Sequence, residues 1–200
     1  FTHHYSASPL CTASRTSLLT GRYAARVRMP NVLFPQDTLG LAECETTIAQ
    51  VLKTRGYQTA CIGKWHLGHR PEFLPTRRGF DEYFGIPYSN DMKPLPLYGN
   101  EKVLEEETDR AMLAGRFIAY AVDFIRRSKD VPFLLYLAPP VPHIPLTPSE
   151  RFRNKSGYGK YGDAILEMDA GVGALTQTVR DLGLEERTLM LFTSDNGPWF

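Results

Sequence analysis

The sequence predicts an α/β fold. Segments with helical periodicity alternate with short apolar, strand-like runs. Apolar runs lead into polar or ionisable clusters, as expected where sheet strands end at a ligand site. No repeat, heptad pattern or low-complexity tract suggests another architecture. The 200 residues suffice for one domain with a real core. Lys and Arg number 23 against 22 Asp and Glu, a formal charge of +1. That balance excludes the electrostatic footprint of a nucleic-acid binder and a polybasic membrane anchor. The longest apolar run, Phe133 to Ala138, is far too short to span a bilayer.

The elements follow in order. Residues 14–23 form a plausible first helix. Residues 45–55 place Ile48, Val51 and Leu52 on one helical face, and Gly56 follows as a stop. Tyr57 to Ile62 reads as a short buried strand ending at Gly63. The Pro/Tyr/Asn-rich stretch from Gly85 to Gly99 reads as a long surface loop. A third helix is predicted over about 108–127, with Phe117, Tyr120, Ala121 and Phe124 at i, i+3, i+4 and i+7. Pro132 then opens a strand over 133–138. The clearest helix covers 161–182, its apolar positions Ile165, Met168, Val172, Leu175, Val179 and Leu182 stepping by three and four. Gly183 is a natural C′ residue for it. A last strand, 188–193, delivers Ser194-Asp-Asn-Gly197 at its carboxyl end.

Four clusters could carry chemistry. Cys11 lies close to the first helix and to Arg15, surroundings that favour a reactive thiol, although a lone cysteine is also often a small buried hydrophobe. The spacing Cys-x3-Arg differs from the Cys-x5-Arg cradle of cysteine phosphatases. In Gly63-Lys-Trp-His-Leu-Gly68, a continuing strand would put Lys64 and His66 on one face, suited to an anion whose leaving group needs a proton. A solvated lysine and a histidine packed on Trp65 would fit equally. His143 lies among Pro139, Pro140, Pro142 and Pro145, either a stiffly held acid or a rigid turn. Asp195 and Asn196 are hard oxygen donors suited to Ca²⁺ or Mg²⁺, or simply part of an Asn-Gly turn. Cys11, Cys44 and Cys61 suit neither a zinc site nor a disulfide scaffold.

Together these residues resemble one family. Cys11-Thr-Ala-Ser-Arg15 with Leu19-Thr-Gly-Arg22 is similar to the sulfatase signature C-x-(P/A)-S-R-x-x-x-L-T-G-R, and Gly63 to Gly68 resembles the family's second signature. Gly79-Phe-Asp-Glu-Tyr-Phe-Gly85, His143 and Ser194 to Gly197 fall in the family's order. The resemblance covers essentially the whole chain and is nearest the arylsulfatase A and N-acetylgalactosamine-6-sulfatase branch.

The resemblance implies an alkaline-phosphatase-like (sulfatase) α/β fold, a mixed, mostly parallel sheet flanked by helices. Residues 1–200 would be part of an N-terminal catalytic domain, lacking its first strand and C-terminal part and inactive alone. A formylglycine-generating maturase would oxidise Cys11 to formylglycine, whose hydrated aldehyde attacks sulfur. Arg15 would orient that group, Lys64 would neutralise sulfate oxygens, His66 would hydrogen-bond the diol and His143 would protonate the leaving oxygen. Ser89 would contact the sulfate. Asp195 and Asn196, with the modified Cys11, would bind Ca²⁺, Mg²⁺ being the alternative. The family's paired metal-binding aspartates and a downstream sulfate-binding lysine are expected outside these residues. Ala13, where many members carry proline, leans toward the anaerobic type of maturase. The implied substrate is a sulfate-ester small molecule or a sulfated glycan, in a periplasmic, secreted or lysosomal setting. A formylglycine-dependent phosphonate monoester or phosphodiester hydrolase and a non-catalytic sulfated-glycan binder are the competing readings.

Overall fold

A computed structural model describes residue 3 and residues 5–197. Its centre is a five-stranded mixed sheet in the order β4-β3-β2-β1-β5. The central strand β1 (Gln58–Lys64) runs parallel to both β2 (Glu82–Ile86) and β5 (Phe133–Ala138). Beyond β2, the antiparallel strands β3 (Leu97–Gly99) and β4 (Lys102–Glu105) make the sheet mixed. Residues 59–64 of β1 are all buried, as expected for a parallel strand covered on both faces.

Helices cover both faces. On one, α3 (Arg110–Arg127) buries Leu113, Phe117, Ala121 and Phe124 over β1, β2 and β5, and α4 (Gly159–Asp181) packs on α3. On the other, α1 (Cys11–Thr20) and α2 (Ile48–Lys53) join a second core around Trp65, Phe80 and Tyr83. The Asp109 side chain caps α3 by accepting from Ala111 N–H, and Arg126 and Arg127 lie in its last turn, where positive charge suits the helix dipole. Of the predicted stripe, Phe117, Ala121 and Phe124 lie in the core with Tyr120 packed against it, and β5 has the predicted bounds.

Several expectations are corrected. Helix α1 starts at Cys11, three residues early, and ends at Gly21 in the left-handed conformation, so Cys11 is its first residue. A capping box between Thr47 and Gln50 starts α2 at Ile48, and only Ala49 is buried while Ile48 and Val51 are exposed. The close approach of Gly79, whose hypothetical Cβ would lie 2.4 Å from Gln50 N, leaves room for a small residue on that face. The buried line of α4 is rotated from the predicted one, through Ala164, Gly171, Leu175 and Val179, with Ile165, Met168 and Val172 half-buried. A Cβ on Gly171 would lie 2.8 Å from the Ile118 side chain of α3, so the two helices approach tightly there. Residues 85–99 are not a surface loop. They finish β2, supply β3 and are mostly buried. Two of their polar groups are met internally: Tyr88 OH donates to Pro94 O, and Glu107 accepts from Leu95 N–H. Residues 188–193 form no strand, and no ladder partner stands beside them among the described residues.

Candidate active site

The carboxyl ends of β1, β2 and β5 converge where Gly63, Gly85 and Ala138 stand in register. A Cβ on Gly63 would meet Ala138 O at 2.2 Å, and one on Gly85 would meet Gly63 O at 1.9 Å. Gly63 also holds φ +108°, so glycine is required there twice over.

Lys64, the last residue of β1, is 2% exposed. Its ammonium donates to Ser89 Oγ at 3.0 Å, its only hydrogen-bond partner among the described residues. Burial first, and the nearby Arg15 guanidinium next, lower its pKa to about 8. The chain then leaves the strand: Trp65 and His66 N–H bond to Ile86 O and Pro87 O, and His66 takes φ +62°. His66 therefore reaches the site through a left-handed residue rather than by the expected strand alternation, and it is still buried beside Lys64. Trp65 does not hold the imidazole; its indole N–H donates to Phe73 O and its ring meets Phe80 edge-on.

His66 Nε2 lies 2.8 Å from Leu33 O. A carbonyl only accepts, so Nε2 carries the proton and Nδ1 presents a lone pair. Nδ1 is buried and has no hydrogen-bond partner among the described residues. Burial, then the Lys64 charge, hold the imidazole neutral, its pKa well below the usual histidine value.

Arg15, on the second turn of α1, is the hub. Its Nη1 donates to Lys64 O at 2.7 Å and reaches Tyr136 OH at 3.4 Å, while Nε and Nη2 hold Asp195 Oδ2 at 2.9 and 2.8 Å. Burial opposes its charge, but Tyr136 and Asp195 outweigh it and raise the pKa. Burial pushes the Asp195 carboxyl up, and Arg15 and Lys64 more than reverse this, so it stays ionised. Cys11 is half-buried and close enough to Arg15 and Lys64 to act on both charges. Thr12 sets the start of α1 by donating to His66 O at 3.0 Å and accepting from Leu33 N–H at 3.3 Å.

His143 stands on the loop after β5. Its Nδ1 is 2.6 Å from Ile144 O and 3.9 Å from Asp91 Oδ1. Among the described residues Asn196 bonds locally, its Nδ2 donating to Gly197 O. Thus Cys11, Arg15, Lys64, His66, Ser89 and Asp195 are joined in one constellation, with His143 at its side through Asp91, whose charge also acts on Lys64. Tyr136, Leu33, Thr12 and Asp91 were missed. Tyr136 alone carried a legible signal, its place on the strand leading to His143.

The described residues contain no group of three or more His, Cys, Asp or Glu able to hold a metal. Asp195 and Asn196 fit a hard cation in kind, but two donors fall short of its usual six to eight oxygens.

The family model for Sulfatase matches residues 1–200. The chain is 41% identical to human (Homo sapiens) arylsulfatase A over 99% of its own length and 45% of that protein. It is 39% identical to N-acetylgalactosamine-6-sulfatase of Rattus norvegicus over 98% of this chain and 43% of that one. The chain belongs to the sulfatase family. It spans less than half the length of these curated relatives. Among solved sulfatase structures, one from work on glycosaminoglycan metabolism by Bacteroides thetaiotaomicron superposes with TM-score 0.91 at 27% identity, covering 97% of this chain and 54% of the other. The sulfatase fold and branch expected from the signatures are therefore both borne out.

Proposed function

We propose that this chain is the N-terminal part of the catalytic domain of a sulfuric ester hydrolase, with Cys11 as the site of the nucleophile. One observation carries the reading. Beside Cys11, two buried cations and a neutral imidazole with an unused acceptor converge at the end of β1. Arg15 and Lys64 against Asp195 leave one uncompensated buried positive charge, which calls for an anion. The family membership supports a sulfate ester as that anion, on a small molecule or a glycan.

Oxidation of Cys11 to formylglycine by a maturase would supply a hydrated aldehyde as the nucleophile, which no encoded side chain provides. The buried, unpartnered His66 Nδ1 fits that group in kind, being an acceptor suited to a hydroxyl donor. Arg15 would orient the hydroxyls from the same helix. Lys64, with Ser89 holding its ammonium, would neutralise the sulfate oxygens as charge develops. His143, its Nδ1 3.9 Å from Asp91 Oδ1, would protonate the departing alkoxide. Asp195 and Asn196 would contribute to the site of a divalent cation, Ca²⁺ foremost, which would polarise the ester. No helix among the described residues is long and apolar enough to cross a membrane, and family relationship points to a periplasmic, secreted or lysosomal setting.

The test is the mass of the tryptic peptide ending at Arg15, from the whole protein made with a maturase. Replacement of thiol by aldehyde, with hydrazide reactivity, is expected. An unmodified thiol with both maturase types supplied overturns the mechanism. Faster turnover of an aryl phosphodiester than of an aryl sulfate overturns the substrate class.

A further inference from the structure

Three hydrogen bonds close a circuit around His66, and two of them share one atom. Thr12 Oγ1 donates to His66 O at 3.0 Å and accepts from Leu33 N–H at 3.3 Å. Leu33 O, on the same residue, accepts from His66 Nε2 at 2.8 Å. The imidazole is therefore gripped twice, its backbone by Thr12 directly and its ring through Leu33. Thr12, Leu33 and His66 are all buried, so bulk water does not compete for these groups. A threonine hydroxyl has one proton to give and lone pairs to receive with. His66 O takes the proton, and a lone pair meets the Leu33 N–H. A side chain without a hydroxyl supplies neither bond.

His66 is also a residue that needs holding. It is not glycine yet stands at φ +62°, a conformation that persists only where its surroundings impose it. Pro87 O accepts from its N–H on one side, and Thr12 donates to its carbonyl on the other. Thr12 directly follows Cys11 in α1, so one hydroxyl ties the cysteine-bearing turn to the backbone of the imidazole.

We propose that Thr12 is a positioning residue for His66, its hydroxyl setting both the ring orientation and the Nε2-protonated tautomer. The ring placement stands on the hydrogen bonds alone, whereas its consequence for turnover rests on the sulfatase reading. Thr12 acts through His66 rather than on the ester.

The experiment compares the whole protein with its Thr12→Val, Thr12→Ala and Thr12→Ser variants. Valine keeps the shape and loses the hydroxyl, alanine loses both, and serine keeps the hydroxyl. Long-range ¹H–¹⁵N spectra of protein labelled with ¹⁵N-histidine report the His66 tautomer, its signals identified by their loss in His66→Gln. A single Nε2–H form is expected in wild type and Thr12→Ser. A mixture with the Nδ1–H form is expected in Thr12→Val and Thr12→Ala. Aryl sulfate kcat/KM, divided by the fraction of Cys11 converted as read by mass, is expected to fall about 10- to 100-fold in the hydroxyl-free variants. Thr12→Ser should retain it within about threefold. An unchanged tautomer in a folded hydroxyl-free variant overturns the proposal and leaves Thr12 an anchor of α1 only. Thr12→Ser behaving like Thr12→Val overturns it as well, by assigning the effect to packing of the methyl group. A wild type without the single Nε2–H form overturns it before any variant is made. If the wild type hydrolyses no aryl sulfate, the sulfatase reading falls and the tautomer still decides the proposal.

Discussion

Residues 58–64 and residues 188–193 are both short apolar runs that lead into polar clusters. The first lies between two parallel neighbours with six consecutive buried residues that end on Lys64, and the backbone that follows it places His66 within the core. The second pairs with no strand among the described residues, and Leu189 and Leu191 are 82% and 81% exposed. Asp195 nevertheless reaches the site, because Arg15 holds its carboxylate through two guanidinium nitrogens. The difference teaches that apolar, β-branched sequence only permits a strand. Ladder partners make one. It also separates two ways of placing a catalytic group, by the register of a packed sheet or by a single charged tether.

The largest test of that contrast is at Cys11. In the whole, matured protein, Cys11→Ala should lower aryl sulfate turnover by about 10⁴-fold or more, with an unchanged circular dichroism spectrum. Residual activity near wild type would remove the nucleophile from the site. On the structural side, Ile62→Ala should cost about 2–5 kcal/mol in denaturant unfolding, because its side chain is fully buried in β1.

A third test concerns Lys64, whose native pKa of about 8 lies below the value of about 10.4 for an unfolded lysine. The native state releases this proton first. Lys64's contribution to stability therefore rises as pH climbs from about 8 toward 10.4. Anion binding needs the charged form, so kcat/KM for a sulfate ester should fall as pH rises through about 8. A flat rate profile across that window would mean the ammonium does not meet the sulfate. The smallest effect is predicted for Leu191→Ala, within about 0.5 kcal/mol. A loss matching that of Ile62→Ala would show that residues 188–193 are packed after all.

Legibility in the sequence followed the same division. Helix α3 and strand β5 could be read because periodicity and a flanking proline speak for themselves, and the site residues could be named because signature spacing survives without coordinates. What failed depended on partners. The buried face of α2 turned on Gly79 pressing against Ala49 and Gln50. The burial of residues 85–99 turned on distant donors such as Arg110 and Lys64. The tautomer of His66 turned on Leu33 O, a backbone atom 33 residues away about which no side-chain pattern carries information.

The Gly63, Gly85 and Ala138 seam has a consequence for suppressor genetics. What a side chain at Gly63 would strike is the main-chain oxygen of Ala138, and at Gly85 that of Gly63. Second-site revertants of a core defect usually work by shrinking the neighbour that clashes. Here the neighbour is backbone, which every amino acid shares, so changing the identity of the contacted residue removes nothing. Selections for recovery of a Gly63 or Gly85 variant should return true reversion to glycine.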